Sequence, residues 1–217
     1  MEPFLQNHQY NRIVQQAQLL LSALQTSSDR RVIEATRARA VASALEACPG
    51  ADAESRGILE RVGELRTAED VQAYVAELQR YARKFPLLTE QEVKRLFPKT
   101  KKLKLPDLAE AGGKPLTYLS WLDGGSNRMY LVYRRDEADA WLGVEGRFEA
   151  VAKKGVCAFC NRSGETALFT AVTKARIAHL PDYYKAVGQY ICSDGAACNA
   201  RITSVEALEQ FLAAIGT

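Results

Sequence analysis

Four cysteines in two close pairs restrict this chain more than any other feature. Cys157-Ala158-Phe159-Cys160 is a C-x-x-C turn, and beyond the 31 residues 161–191 a second pair, Cys192 and Cys198, encloses Ser-Asp-Gly-Ala-Ala. Pairs at such a separation mark a metal site, because a tight turn presents two thiolates together and a distant pair completes the shell. Four thiolates close a tetrahedron and leave no position for water or substrate. The spacing therefore predicts a structural zinc, ahead of iron or an iron–sulfur cluster. His179 is the only imidazole nearby; it would be a fifth ligand and reads as a packing or surface residue. Cys48, beside Pro49-Gly50 and without a neighbouring His or second Cys, reads as an inert small side chain.

The segments around the cysteines predict how they are brought together. Phe148 to Val156 is strand-like and leads into the first pair, and Asn161-Arg162-Ser163-Gly164 turns the chain back. Residues 167–173 and 188–191 read as strands. The second pair precedes a final helix, with Thr203-Ser-Val-Glu206 as a capping box and Val205, Leu208, Phe211, Leu212 and Ile215 as its apolar stripe. Knuckle, hairpin and a second ligand pair ahead of a helix is the order of a treble-clef zinc finger, placed here at about 150–217. Upstream, Thr117–Leu122 and Met129–Tyr133 flank Asp-Gly-Gly-Ser-Asn and predict a β-hairpin, which Trp141–Phe148 extends into an antiparallel sheet.

The first part of the chain is of another kind. Apolar residues at spacings of three and four predict helices over about 3–25, 29–47, 53–66 and 68–85, the last opened by a Thr67-Ala-Glu-Asp70 capping box. Four amphipathic helices with short connections read as an antiparallel bundle. Through residue 83 there are ten arginines, eleven acids and no lysine, and every lysine lies at or beyond Lys84. That break in usage predicts a boundary there: a helical bundle over 1–85 and a sheet domain with the zinc finger over 86–217, an α+β chain.

No catalytic pattern stands out. There is no phosphate-binding G-x-x-x-x-G-K-[ST] loop, no zinc-deaminase signature, and only two histidines, His8 and His179. The expectation is a binding protein without a small-molecule substrate. No signal-like or membrane-spanning apolar run is present, so the expected location is the cytoplasm. From Lys94 to Lys104 six basic residues occur without an acid, a local positive stretch that reads first as a solvated charged segment and otherwise as a contact for phosphate, as in RNA, or for an acidic protein surface. Around the metal site lie Phe159, Tyr184, Lys185, Tyr190 and Phe211, the candidates for partner contact, with Phe159 foremost because it sits inside the knuckle.

The motifs V-C-A-F-C-N (156–161), Y-I-C-S-D followed by C-N (190–199), and I-T-S-V-E-A-L-E-Q-F-L (202–212) resemble the bacterial elongation factor G binding proteins, the family of the FusB/FusC-type fusidic acid resistance proteins. The resemblance implies a treble clef with one zinc on Cys157, Cys160, Cys192 and Cys198. It also implies a C-terminal domain that docks on elongation factor G and promotes its release from the ribosome, which the protein then meets only indirectly. Residues 1–85 carry none of these motifs.

Overall fold

The computed structural model describes residues 2–135, 140–173 and 185–216. The chain forms two compact units, Met1–Arg83 and Lys84–Thr217. In the first, helices α1 (Asn7–Thr26), α2 (Arg30–Ala47), α3 (Ala53–Glu60) and α4 (Ala68–Gln79) enclose a core of their own. Gln9 Nε2 donates to the Ala47 carbonyl at 2.7 Å, and Arg12 reaches Ser43 and Glu46, so the start of α1 lies beside the end of α2. These two helices are antiparallel. Ile13, Ala17 and Leu20 are fully buried at the helical spacing that the stripe requires, and each large aliphatic side chain contributes about 2 kcal/mol.

Helix ends differ from the periodicity-based limits where other contacts claim the backbone. The third helix becomes a 3-10 turn at Arg61–Glu64, where Arg37 donates to the Gly63 carbonyl. The fourth stops at Gln79 rather than near Phe85. Beyond it the amides of Phe4 and Leu5 both donate to the Tyr81 carbonyl at 2.9 Å, and Arg83 N–H donates to Leu5 at 2.8 Å. This short pairing, centred on Leu5 and Ala82, takes the chain out of the helix just past its C-cap Arg80. Thr67 caps α4 as its sequence predicts, accepting from Asp70 N–H while the Asp70 carboxylate accepts from Thr67 N–H.

The second unit opens with α5 (Glu90–Leu96), started by a Thr89–Glu92 capping box, and the short α6 (Leu108–Gly112). Five antiparallel strands follow in the spatial order β1 (Tyr118–Asp123), β2 (Arg128–Arg135), β3 (Ala140–Ala150), β6 (Thr166–Val172), β7 (Ala186–Cys192). Between β3 and β6 a two-stranded ribbon, β4 (Gly155–Val156) and β5 (Ser163–Gly164), carries the first cysteine pair. Helices α7 (Gly195–Asn199) and α8 (Glu206–Ala214) complete the unit.

The sheet is covered on both faces. On one, Leu119, Tyr130 and Val132 pack with Phe85, Leu88, Val93, Phe97 and Ala111. On the other, Leu131, Phe169 and Ile191 pack with Ile202, Leu208, Phe211 and Leu212 and with the four cysteines. Gly146 permits that second core: a Cβ there would lie 2.5 Å from the Phe169 ring and 2.6 Å from the Thr170 carbonyl. Helix α8 begins two residues later than its expected capping box, with Val205 rather than Thr203 as N-cap. Val205 is helical in φ and ψ, no side chain closes a box, and Ser204 Oγ accepts from Glu206 N–H at 3.2 Å in place of Thr203. Among the described residues no helix is long and apolar enough to cross a membrane.

Candidate metal centre

The first cysteine pair is presented by the β4–β5 ribbon. Cys157 N–H donates to the Arg162 carbonyl at 3.0 Å and Asn161 N–H to the Cys157 carbonyl at 2.9 Å. Asn161 takes φ 51°, the left-handed conformation that Asn tolerates better than most residues and that reverses the chain at this point. Cys192 ends β7. Cys198 lies on α7, which Asp194 opens by accepting from Ala196 N–H at 2.8 Å. The ribbon is tied to the sheet edge by Ala158 N–H, which donates to the Tyr190 carbonyl at 2.7 Å.

These elements bring all four sulfurs within 4.8 Å of one another, and all four cysteines are buried. Cys157 and Cys198 Sγ are 3.8 Å apart, Cys160 and Cys192 Sγ 3.6 Å. Four sulfurs about 2.3 Å from a tetrahedral zinc stand about 3.8 Å from each other, so the cage has the size of that ion. Cys192 N–H donates to Cys157 Sγ at 3.2 Å, one of the backbone donors that steady a thiolate. Hydrogen bonds from the Cys160 and Cys198 thiols hold Cys157 down to about 2. Burial and the resulting charge on Cys157 push Cys192 up to about 12. Cys198 is raised as well, by its hydrogen bonds to Cys157 and Cys160 and by burial. Ionising the whole set thus needs a cation among the sulfurs, and metal uptake must expel protons.

Phe159 and Phe211 do not have the exposure expected of partner contacts. Phe159 is 3% exposed and Phe211 2%. The Phe159 ring meets Tyr118 edge-on at 5.9 Å and Phe211 at 5.8 Å, and Phe211 continues to Phe169 at 5.7 Å. Both belong to the core, because α8 closes over the inner side of the knuckle and its apolar stripe needs these rings. Tyr190 is 53% exposed on edge strand β7, and Lys185 is exposed just before it. Tyr184 and His179 lie outside the described residues. In the basic stretch Lys94 pairs with Glu90 at 2.8 Å and Lys104 with Asp123 at 3.6 Å, while Lys99, Lys101 and Lys102 are exposed. Cys48 is buried in the first unit, and burial pushes its thiol up to about 11, against a nucleophilic role.

Sequence reasoning missed Asn199. Its buried side chain accepts from Thr117 N–H at 2.7 Å and Tyr118 N–H at 3.2 Å, and donates to the carbonyls of Tyr118 and Gly195 at 2.9 Å. It fastens the ligand-bearing α7 to strand β1. The only signal was its position next to Cys198, which says nothing about a target 81 residues earlier. Asn199→Ala removes the acceptor of two strand amides and is expected to cost about 3 kcal/mol by chemical denaturation. A loss below about 0.5 kcal/mol would show that the clamp contributes little.

With this geometry in place, the comparisons with known proteins are specific. A family model described as "Elongation factor G-binding protein, N-terminal" matches residues 4–86, and one described as "FBP C-terminal treble-clef zinc-finger" matches residues 97–212. The chain belongs to the elongation factor G-binding protein family. One similar solved structure is that of the fusidic acid resistance protein FusC, with a TM-score of 0.81, 25% identity and 98% of each chain covered. No curated protein matches the chain. For a treble-clef finger of this family, the four-thiol cage is the place of one structural zinc. The ion would join ribbon, sheet edge and α7 into one body.

Proposed function

We propose that this protein binds elongation factor G through its zinc-finger unit and promotes the factor's release from the ribosome, protecting translation from fusidic acid stalling. What carries the reading is that an elongation factor G-binding N-terminal model and an FBP treble-clef zinc-finger model together span nearly all of the chain, and that it resembles FusC over its whole length. The division of labour we infer is a helical bundle at 1–85 and a docking domain at 86–217. Cys157, Cys160, Cys192 and Cys198 are the proposed zinc ligands. Of the side chains put forward for the partner, Lys185 and Tyr190 on the β7 side remain candidates, as does Tyr184, which lies outside the described residues. Such a protein makes or breaks no bond. It shifts the factor toward states that leave the ribosome, by no more than its differential affinity for them. Its place of action would be the bacterial cytoplasm.

The direct test is co-migration with purified elongation factor G on size exclusion at micromolar concentration with zinc present. Two separate peaks would end the proposal. Retention on RNA that falls steeply with salt and needs no factor would point instead to contact through Lys94–Lys104. Within the complex, Tyr190→Ala is expected to weaken binding roughly thirtyfold, as removal of an exposed aromatic anchor does, while the melting temperature stays unchanged. Equal affinities measured by calorimetry would remove Tyr190 from the interface.

A further inference from the structure

Tyr118 is wholly inaccessible, and among the described residues its hydroxyl is buried without a hydrogen bond. Buried phenols rarely stay that way, since the hydroxyl gives up water and gains nothing in return. The ring cannot swing to solvent. Its face is met edge-on by Phe159 at 5.9 Å, and its backbone is clamped on both sides of the residue by Asn199. Asn199 directly follows Cys198, so the clamp also fixes where the phenol stands relative to that sulfur. The phenol shares one buried cluster with all four cysteines; burial raises it well above its ordinary range, and Cys198 heads the side chains that act on it.

We propose that the Tyr118 hydroxyl is an outer hydrogen-bond donor to the Cys198 thiolate, so that strand β1 helps to set how tightly the finger retains its zinc. This rests on the zinc reading of the four-thiol site. A neutral thiol is a poor acceptor, and a buried phenol beside one is left wanting. A thiolate is a strong acceptor, and a bond from O–H to a charged acceptor is about twice as strong as a neutral one. Loading the site turns Cys198 from the first kind of sulfur into the second, and the orphaned donor lies in the same buried cluster as that sulfur. By drawing charge from one sulfur, the phenol relieves crowding among four anionic ligands. Partners of this kind, one shell outside the ligands, typically govern metal affinity by tenfold or more.

Tyr118→Phe separates this role from a merely tolerated orphan, because the two predict opposite signs. If the hydroxyl serves no acceptor, its removal relieves an unsatisfied buried group, and the full-length variant should melt higher with unchanged zinc affinity. If it serves Cys198, the variant should keep its near-ultraviolet dichroism, bind zinc about tenfold more weakly in competition with a chromophoric chelator, and melt lower. The cobalt-substituted form supplies a readout that packing alone would not move: the sulfur-to-cobalt charge-transfer band should shift to lower energy when the donor is lost. An unshifted band with wild-type affinity overturns the proposal. A wild-type protein that takes up neither zinc nor cobalt would instead defeat the zinc reading, and the role of Tyr118 with it.

Discussion

Replacing Cys192 by Ser is expected to unfold the second unit and leave the first folded. Apparent binding free energies of structural zinc sites reach about 10–16 kcal/mol, as large as the whole stability of an ordinary domain. Losing one thiolate therefore threatens everything that the metal joins: the β4–β5 ribbon, the end of β7, and α7. The first unit has its own core and contains no ligand. Both tryptophans, Trp121 and Trp141, lie in the second unit, so their fluorescence reports on it alone. In the variant, emission should shift to that of water-exposed indole while strong helical dichroism from α1, α2 and α4 persists. Stripping the wild type with a tight chelator should reproduce that pattern, and zinc should reverse it. Buried-indole emission in a zinc-free Cys192→Ser protein would mean that the sheet stands without its metal.

Phe159→Ala should be the next most damaging change, at about 3–5 kcal/mol, the usual cost of deleting a fully buried phenyl ring. Its ring lies between Tyr118 on the sheet and Phe211 on α8, so the cavity would open directly beside the cysteines. The loss should appear as an earlier tryptophan transition on denaturation. Affinity for elongation factor G should fall only as far as the folded fraction falls. Tyr190→Ala is expected to behave the other way, with affinity lost and the transition kept. Were Phe159→Ala to melt normally and bind poorly, the ring would have to be reassigned to the interface.

The two aromatics show where sequence reasoning succeeds and where it stops. The metal cage was legible because its rule is local: two closely spaced pairs, each delivered by one turn or one helix. The bundle helices and the Thr67–Asp70 capping box were legible for the same reason, since i, i+3 and i, i+4 relations do not depend on the rest of the fold. Whether Phe159 points outward or inward depends on α8, some fifty residues later, and no local pattern records that. The Asn199 clamp spans a still longer interval. Helix α4 ends early because Leu5 competes for its last residues, and Thr203 loses its capping role because Val205 already has helical geometry. In each case the deciding partner is distant or displaced by two residues, and propensity yields to it.

The Asn199 clamp and the late ligands also bear on how the protein is made. Residues 1–83 can close around their core while the remainder is still being synthesised, since domains generally fold as units from the N-terminal side. The second unit has no such freedom. Strand β1 waits for Asn199, the cage waits for Cys198, and the inner face of the sheet waits for Leu208 to Leu212. At typical elongation rates, roughly ten seconds separate the two halves, during which strands β1 to β3 stand without their cover. Zinc supply during translation would then decide how much of the newly made protein escapes aggregation, so cells starved of the metal should accumulate this chain in the insoluble fraction with its helical half intact.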